Sequence, residues 1–392
     1  MTKSNRGKKR QQGSASRRTS PQMGEKTEPK RSSSLQRKAE KSRKPEKLTK
    51  DAIPPVAKNQ SEAGRSVPWG KIFIGLFLLS MFLGILETTL QAGRAVPNWP
   101  HSFRGFWIFC PPKHWFTQFD VFIAQTHRVA ALATVIFVVI ALVKKKVPRL
   151  SRLESLLFVA LCLILPLSGG LRIAWDRTSW ATVHACLAFA ACVMLGKWIA
   201  GIAISKSDAR GRNASGNECP TQEQETKTAT KTSRVPRIVF TSTLVLLLTQ
   251  SFVGAQLRHL AAETGSENLF TLWVWAHSLS GVFFLLVAAV CYWICVRTAK
   301  RKGDLRIAAW GRVLASLLFF QVFLGPFNWL VNYNVPLWFM DWIWPIHYTI
   351  QEGTLLQTTT TCTHVSVGYL SVVVAAIGWV ITAKNVSPSN KM

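Results

Sequence analysis

The stretch WGKIFIGLFLLSMFLGILETTLQA, residues 69–92, decides the fold class. It supplies the run of about 20 mostly apolar residues that a helix needs to cross a bilayer. Lipid offers no hydrogen-bond partners, so such a run must satisfy its backbone internally as a helix. Seven further runs of this kind follow, at about 118–143, 153–171, 179–203, 236–257, 270–296, 306–331 and 357–383. Outside them no soluble catalytic domain of useful size remains, which excludes most cytosolic enzyme classes.

The 392-residue chain carries 48 Lys+Arg against 19 Asp+Glu, a formal charge of +29. Much of that excess sits in the first 66 residues, with runs such as RGKKR and KSRKPEKLTK. This segment has too little apolar surface to build a core and is expected to be disordered. A solvated arm near anionic lipid explains its charge better than nucleic-acid binding does. Basic residues also mark one set of loops: KKKVPRLSR (144–152), the linker 204–235 and RTAKRKGDLR (297–306). With eight spans these loops and both termini share one side, which the positive-inside rule makes cytoplasmic. The opposite side, called outer below, has loops carrying tryptophan. The expected fold is thus an all-α polytopic membrane protein, with eight transmembrane helices as two tandem four-helix bundles behind a disordered basic tail. The boundaries are 1–66 (tail), 67–203 (first bundle), 204–235 (cytoplasmic linker), 236–384 (second bundle) and 385–392 (short cytoplasmic tail).

The division into halves rests on matched features. The first span ends in LQAGRAVPNWP and the fifth in VGAQLRHLAAETG. The second helix of each half opens with a histidine, in QTHRVAALA and WAHSLSGVF, and the fourth carries another, in TVHACLAFA and CTHVSVGYL. A repeated four-helix unit indicates internal duplication, and an even number of spans per unit gives both copies one orientation.

His127, His184, His277 and His364 therefore lie one in each even-numbered span, about five to nine residues inside its outer end. That depth is about 8–13 Å at the helical rise. A lone histidine in a span can simply bond a neighbouring helix, but four at matched depth and repeat position argue for a function. No carboxylate or thiolate cluster accompanies them to make a zinc or di-iron site. Imidazole pairs facing across a bundle suit the axial positions of a haem, one haem per half. Arg94, Arg172 and Arg258 end odd-numbered spans on the outer side, and Arg128 follows His127. Haem propionates at that level would pair with these guanidinium groups. Cys162, Cys186, Cys192, Cys291, Cys295 and Cys362 fall in spans as small apolar residues, and Cys110 and Cys219 form no disulfide framework or zinc site with them.

These motifs resemble the haem A synthase family. AGRAVPNWPHSFRG (92–105) is close to that family's first outer-loop segment, Gln250 through His259 matches the equivalent place in the second half, and THR (126–128), AHSLSG (276–281) and HVSVGYL (364–370) match its histidine motifs. The resemblance spans about 71–384. It implies an integral enzyme of the bacterial plasma membrane that oxidises the C8 methyl of haem o to a formyl group, giving haem a for cytochrome oxidase. It further implies that His127 and His184 address the substrate haem, that His277 and His364 ligate the iron of a resident haem b, and that haem o synthase and cytochrome oxidase assembly factors are partners besides membrane lipid, with no nucleic acid. The family places Glu three residues before the first histidine, where this chain has Ala124. Glu87, within the first span, and Asp120, before His127, are the carboxylates able to replace it, and Glu87 is the preferred catalytic candidate. The family's paired outer-loop cysteines are also missing. A di-haem b-type electron-transfer protein without haem-modifying activity uses the same histidine pairs and is the alternative reading. A two-repeat transporter would place its polar site nearer the midplane.

Overall fold

The computed structural model describes residues 67–96, 101–102, 105–106, 112–144, 151–175, 177–214, 234–260, 267–302, 305–333 and 353–384. The basic tail expected over 1–66, the segment 215–233, residues 385–392, Cys110 and Cys219 lie outside these described residues. Eight helices are long and apolar enough to cross a membrane. They are Val67–Thr89, Phe119–Val143, Arg152–Trp175, Thr178–Ala214, Arg234–Leu260, Glu267–Lys302, Leu305–Tyr333 and Leu355–Lys384, the first to eighth spans. The chain is an integral membrane protein of all-α class.

The ends differ from the hydropathy reading in two instructive places. The first span stops at Thr89, because Gln91 turns to a left-handed backbone (φ 53°) and Ala92–Ala95 coils into a 3₁₀ turn. The fourth span runs on to Ala214, well into the stretch expected to be linker. A helix leaving the bilayer needs no apolar face, so hydropathy marks where the span ends rather than where the helix does. In the first outer loop, His101–Ser102 pairs antiparallel with Gly105–Phe106.

Each half closes on itself: the first span packs on the second, the second on the third, the third on the fourth and the fourth back on the first, and spans five to eight repeat the pattern. The halves meet through spans one, four, five and eight. The fourth packs against the eighth and the fifth, and the eighth against the first. Exchanging spans one with five and four with eight maps these contacts onto themselves, as a two-fold axis along the membrane normal requires. Burial follows from this plan. In the fourth and eighth spans 56% and 61% of the core window is buried, against 22–28% in the other six, so the fourth helix of each repeat forms the centre. The remaining helices turn large apolar side chains outward, among them Phe82, Leu156, Leu286, Phe319 and Phe323.

At the seam, small residues let backbones approach, which is how helices associate where lipid removes the hydrophobic drive. A methyl on Gly196 would stand 2.6 Å from the Val373 carbonyl oxygen and 2.7 Å from Ala376 Cβ. Phe189 stacks on Tyr369 at 4.1 Å across the same seam, and Trp198 stacks on Phe73 at 4.4 Å where the fourth span meets the first. Gly196→Leu should therefore wedge the central pair apart, with a loss of about 1–3 kcal/mol from overpacking. Thermal unfolding in detergent checks this, and an unchanged midpoint would show that the seam is not close-packed.

Candidate functional site: a layer of histidines against glycines

The four histidines enter one layer because each helix brings them in at a similar depth. They follow the helix starts at Phe119, Thr178, Glu267 and Leu355 by between six and ten residues. What fixes their orientation lies on the preceding odd span. Four glycines, Gly84, Gly169, Gly254 and Gly325, face His127, His184, His277 and His364 in turn. A Cβ on the first three would meet the Cε1 atom of its histidine at 2.7, 3.0 and 3.0 Å, and on Gly325 at 3.9 Å. Any larger side chain in the first three places would occupy the imidazole's position. The third and seventh spans also share an internal proline next to this register, Pro166 and Pro326.

The two halves then diverge. In the first, His127 Nδ1 lies 3.0 Å from the Ser80 carbonyl oxygen, and His184 Nδ1 lies 3.0 Å from that of Leu165 and 3.0 Å from Ser168 Oγ. Ser80 and Leu165 each stand four residues before the facing glycine. With Nδ1–H donated to a carbonyl, each Nε2 keeps its lone pair, the arrangement by which proteins prepare a histidine as a ligand. Glu87 is buried, and its Oε2 stands 3.7 Å from His127 Nε2. The turn at 92–95 brings Gly93 over this carboxylate, so close that a Cβ there would lie 2.6 Å from Glu87 Oε1. Of the two candidate acids, Asp120 is exposed. Ala124 is fully buried with Val96 and Val121 in a small apolar cluster.

In the second half amides replace the acid. The His277 and His364 rings stand 6.2 Å apart at 72°. Gln250 and Gln321 occupy the positions equivalent to Ser80 and Leu165. Gln250 Nε2 donates to the His277 carbonyl at 2.9 Å, Gln250 Oε1 accepts from Ser280 Oγ, and Gln321 Nε2 lies 3.4 Å from His364 Nε2. The Nδ1 atoms of His277 and His364 are buried without a hydrogen-bond partner, an arrangement folded proteins seldom leave unused.

The arginines do not share one role. Arg172 donates to Thr88 Oγ1 at 3.2 Å and Arg258 to Thr89 Oγ1 at 2.8 Å, so two cations from different halves converge on adjacent residues of the first span. His259 joins them, within electrostatic reach of Arg172 and His184. Arg128 is buried and donates to the Val96 carbonyl at 3.0 Å, tying the second span to the returning turn. Arg94 lies on the exposed side of that turn. Sequence reasoning missed the glycines, the carbonyl partners of His127 and His184, and Thr88 and Thr89. A usable signal was present: Gln-x-x-x-Gly recurs at 250–254 and 321–325, at the same outer level as the histidines.

Among the described residues no three of His, Cys, Asp and Glu gather as a non-haem metal cluster would. Comparison of the chain with protein-family models, with curated proteins and with solved structures gives no match.

The glycine register generates a contrast to measure. Gly84→Ala should destabilise the protein by about 1–3 kcal/mol by overpacking His127. Gly75→Ala, on the same helix with open space around it, should be neutral or stabilising by up to about 1 kcal/mol. Thermal unfolding of the two variants tests the register, and equal midpoints would remove it.

Proposed function

We propose that the chain is a membrane oxidoreductase of the haem A synthase type, oxidising the C8 methyl of haem o to a formyl group. The observation that carries this reading is the asymmetry of the two histidine pairs, one provided with an acid and the other with amides. An enzyme needs such a difference between the place where chemistry occurs and the place where a cofactor resides.

The C-terminal pair suits a resident haem b. His277 and His364, whose rings stand 6.2 Å apart, would hold its iron through imidazole nitrogen. The polar side chains beside this pair are neutral amides, Gln250 on the His277 backbone carbonyl and Gln321 near His364 Nε2. A bound haem b would supply one-electron transfer there, with its potential set by axial ligation, burial and neighbouring hydrogen bonds.

The N-terminal pair suits the substrate haem. His127 and His184 are oriented through Nδ1 by backbone carbonyls, so their Nε2 atoms are available to hold and orient haem o. Glu87 Oε2 stands 3.7 Å from His127 Nε2, so this half has a carboxylate beside the atom that would hold its ligand. Oxidation of a methyl group releases protons, and Glu87 is the buried base beside the pair that can accept one. Arg172 and Arg258, held at Thr88 and Thr89, suit propionates at the outer level, and Arg128 and Arg94 flank the same turn. In this reading the enzyme works in a bacterial plasma membrane with both termini in the cytoplasm, takes haem o from its synthase and passes haem a to cytochrome oxidase assembly factors.

One observation favours a di-haem b-type electron-transfer protein instead. Position 124, where the family carries its glutamate, is an alanine packed against Val96 and Val121. Expression of the full chain in a host that makes haem o, followed by pigment extraction, separates the readings, since only the synthase yields the formyl porphyrin. His277→Ala or His364→Ala should abolish the haem b absorption, and an unchanged spectrum would overturn the assignment of that pair. Glu87→Gln should abolish haem a formation while both haems still bind, and a normal haem a yield would remove Glu87 from the chemistry.

A further inference from the structure

An apolar groove of about 600 Å³ opens between the third, fourth and fifth spans, lined by Leu157, Leu161, Ile164, Phe189, Met194 and Leu248 among others. It crosses the seam between the repeats, because the third and fourth spans belong to the first half and the fifth to the second. Leu157 and Ile164 are 56% and 47% exposed, so the groove faces the membrane rather than the interior of either bundle.

On each of the three helices the lining face continues, at helical spacing, to a charged residue near the basic end. The line through Phe189, Ala190 and Val193 reaches Lys197, the line through Leu161 and Leu157 reaches Glu154, and the line below Leu248 passes Thr241 to Arg237. Lys197 and Glu154 are ion-paired, and the Lys197 ammonium also lies 5.5 Å from the centre of the Trp379 ring. Arg237 and Arg152, near the same end of the fifth and third spans, are exposed. One acid against three bases leaves this end net positive. From Leu248 to Arg237 is three helical turns, about 16 Å, close to half of a hydrocarbon core about 30 Å thick. The groove itself is lined by apolar residues, and these charged residues lie about one to three helical turns beyond it along the same helices, towards the basic side.

We propose that this groove binds an anionic phospholipid of the leaflet on the basic side, with an acyl chain along the third, fourth and fifth spans and its phosphate at Arg237 and Lys197. Apolar surface accounts for the chain, and the excess of cations at the membrane surface accounts for an anionic headgroup. A lipid there covers the junction of the two repeats, at the point where the chain passes from one to the other. The inference is independent of what the histidine pairs hold.

The test uses the full chain purified in mild detergent, with phosphatidylglycerol as the probe, read by native mass spectrometry and by thermal unfolding. The expected result is one retained phospholipid per chain, lost on stringent delipidation, and a rise in unfolding temperature when phosphatidylglycerol is restored, larger than with phosphatidylcholine. Ala190→Trp fills the groove and should abolish the adduct. Arg237→Gln leaves the groove intact and should weaken phosphatidylglycerol binding about fivefold, the factor for one cation at an anionic surface. The absence of any adduct on the wild type, or an adduct indifferent to both variants, overturns the proposal. So does a prenylated porphyrin or a second copy of the chain found in the groove in place of phospholipid, or an equal response to the two lipids.

Discussion

The imidazole of each even span rests against a glycine of the odd span before it, and the rest of the site follows from that contact. Two helices can bring a ring this close to a backbone only where the facing residue has no side chain. At Gly84, Gly169 and Gly254 a single methyl would already stand within 3.0 Å of the ring. At Gly84 and Gly254 the close approach fixes the rotational register of the helix pair, because the flanking residues Leu83, Ile85, Val253 and Ala255 all carry side chains. It also puts the carbonyl one turn earlier within reach of the ring. This is why His127 and His184 find Ser80 and Leu165. In the second half the same contact at Gly254 leaves His277 Nδ1 without a partner, so the glycine brings the ring close and the neighbouring groups decide what it bonds.

The central pair of spans turns two such bundles into one body. Gly196 against Val373, and Phe189 against Tyr369, bind the fourth and eighth spans tightly enough to bury most of both. Polar contacts at the outer level then cross between the halves. Arg258 of the second half and Arg172 of the first reach neighbouring threonines on the first span, and Cys362 Sγ lies 3.5 Å from Thr89. The end of the first span is consequently a meeting point for both sites. Its abrupt termination at Gln91 matters because it lets the 92–95 turn fold back over Glu87.

Duplication normally yields equal halves, and here the backbone plan is nearly equal while the polar side chains are not. Ser80 and Leu165 in the first repeat correspond to Gln250 and Gln321 in the second. In the first repeat the carbonyls at these positions bond the histidine rings, and in the second the Gln250 amide bonds the His277 backbone carbonyl while the Gln321 amide lies near His364 Nε2. Glu87 stands three residues after its register glycine, where the second repeat has Leu257. The asymmetry changes the local chemistry considerably, since an acid beside one pair can take a proton and an amide beside the other cannot.

Hydropathy alone determined the eight spans, since lipid leaves an apolar run of that length no conformation but a helix. Spacing alone placed the four histidines in one layer, because the helical rise converts residue counts into depth. The sequence also singled out Glu87 as a carboxylate where carboxylates are rare. Rotation about the helix axes was beyond it, as most faces of a membrane helix are apolar and mark no interior. Only the packed structure put Glu87 beside His127 and left Asp120 exposed, matched each histidine with a glycine, and gave Arg172 and Arg258 partners on the first span. Those choices depend on which faces meet across the bundle, and close contact between small residues settles that where hydrophobicity cannot.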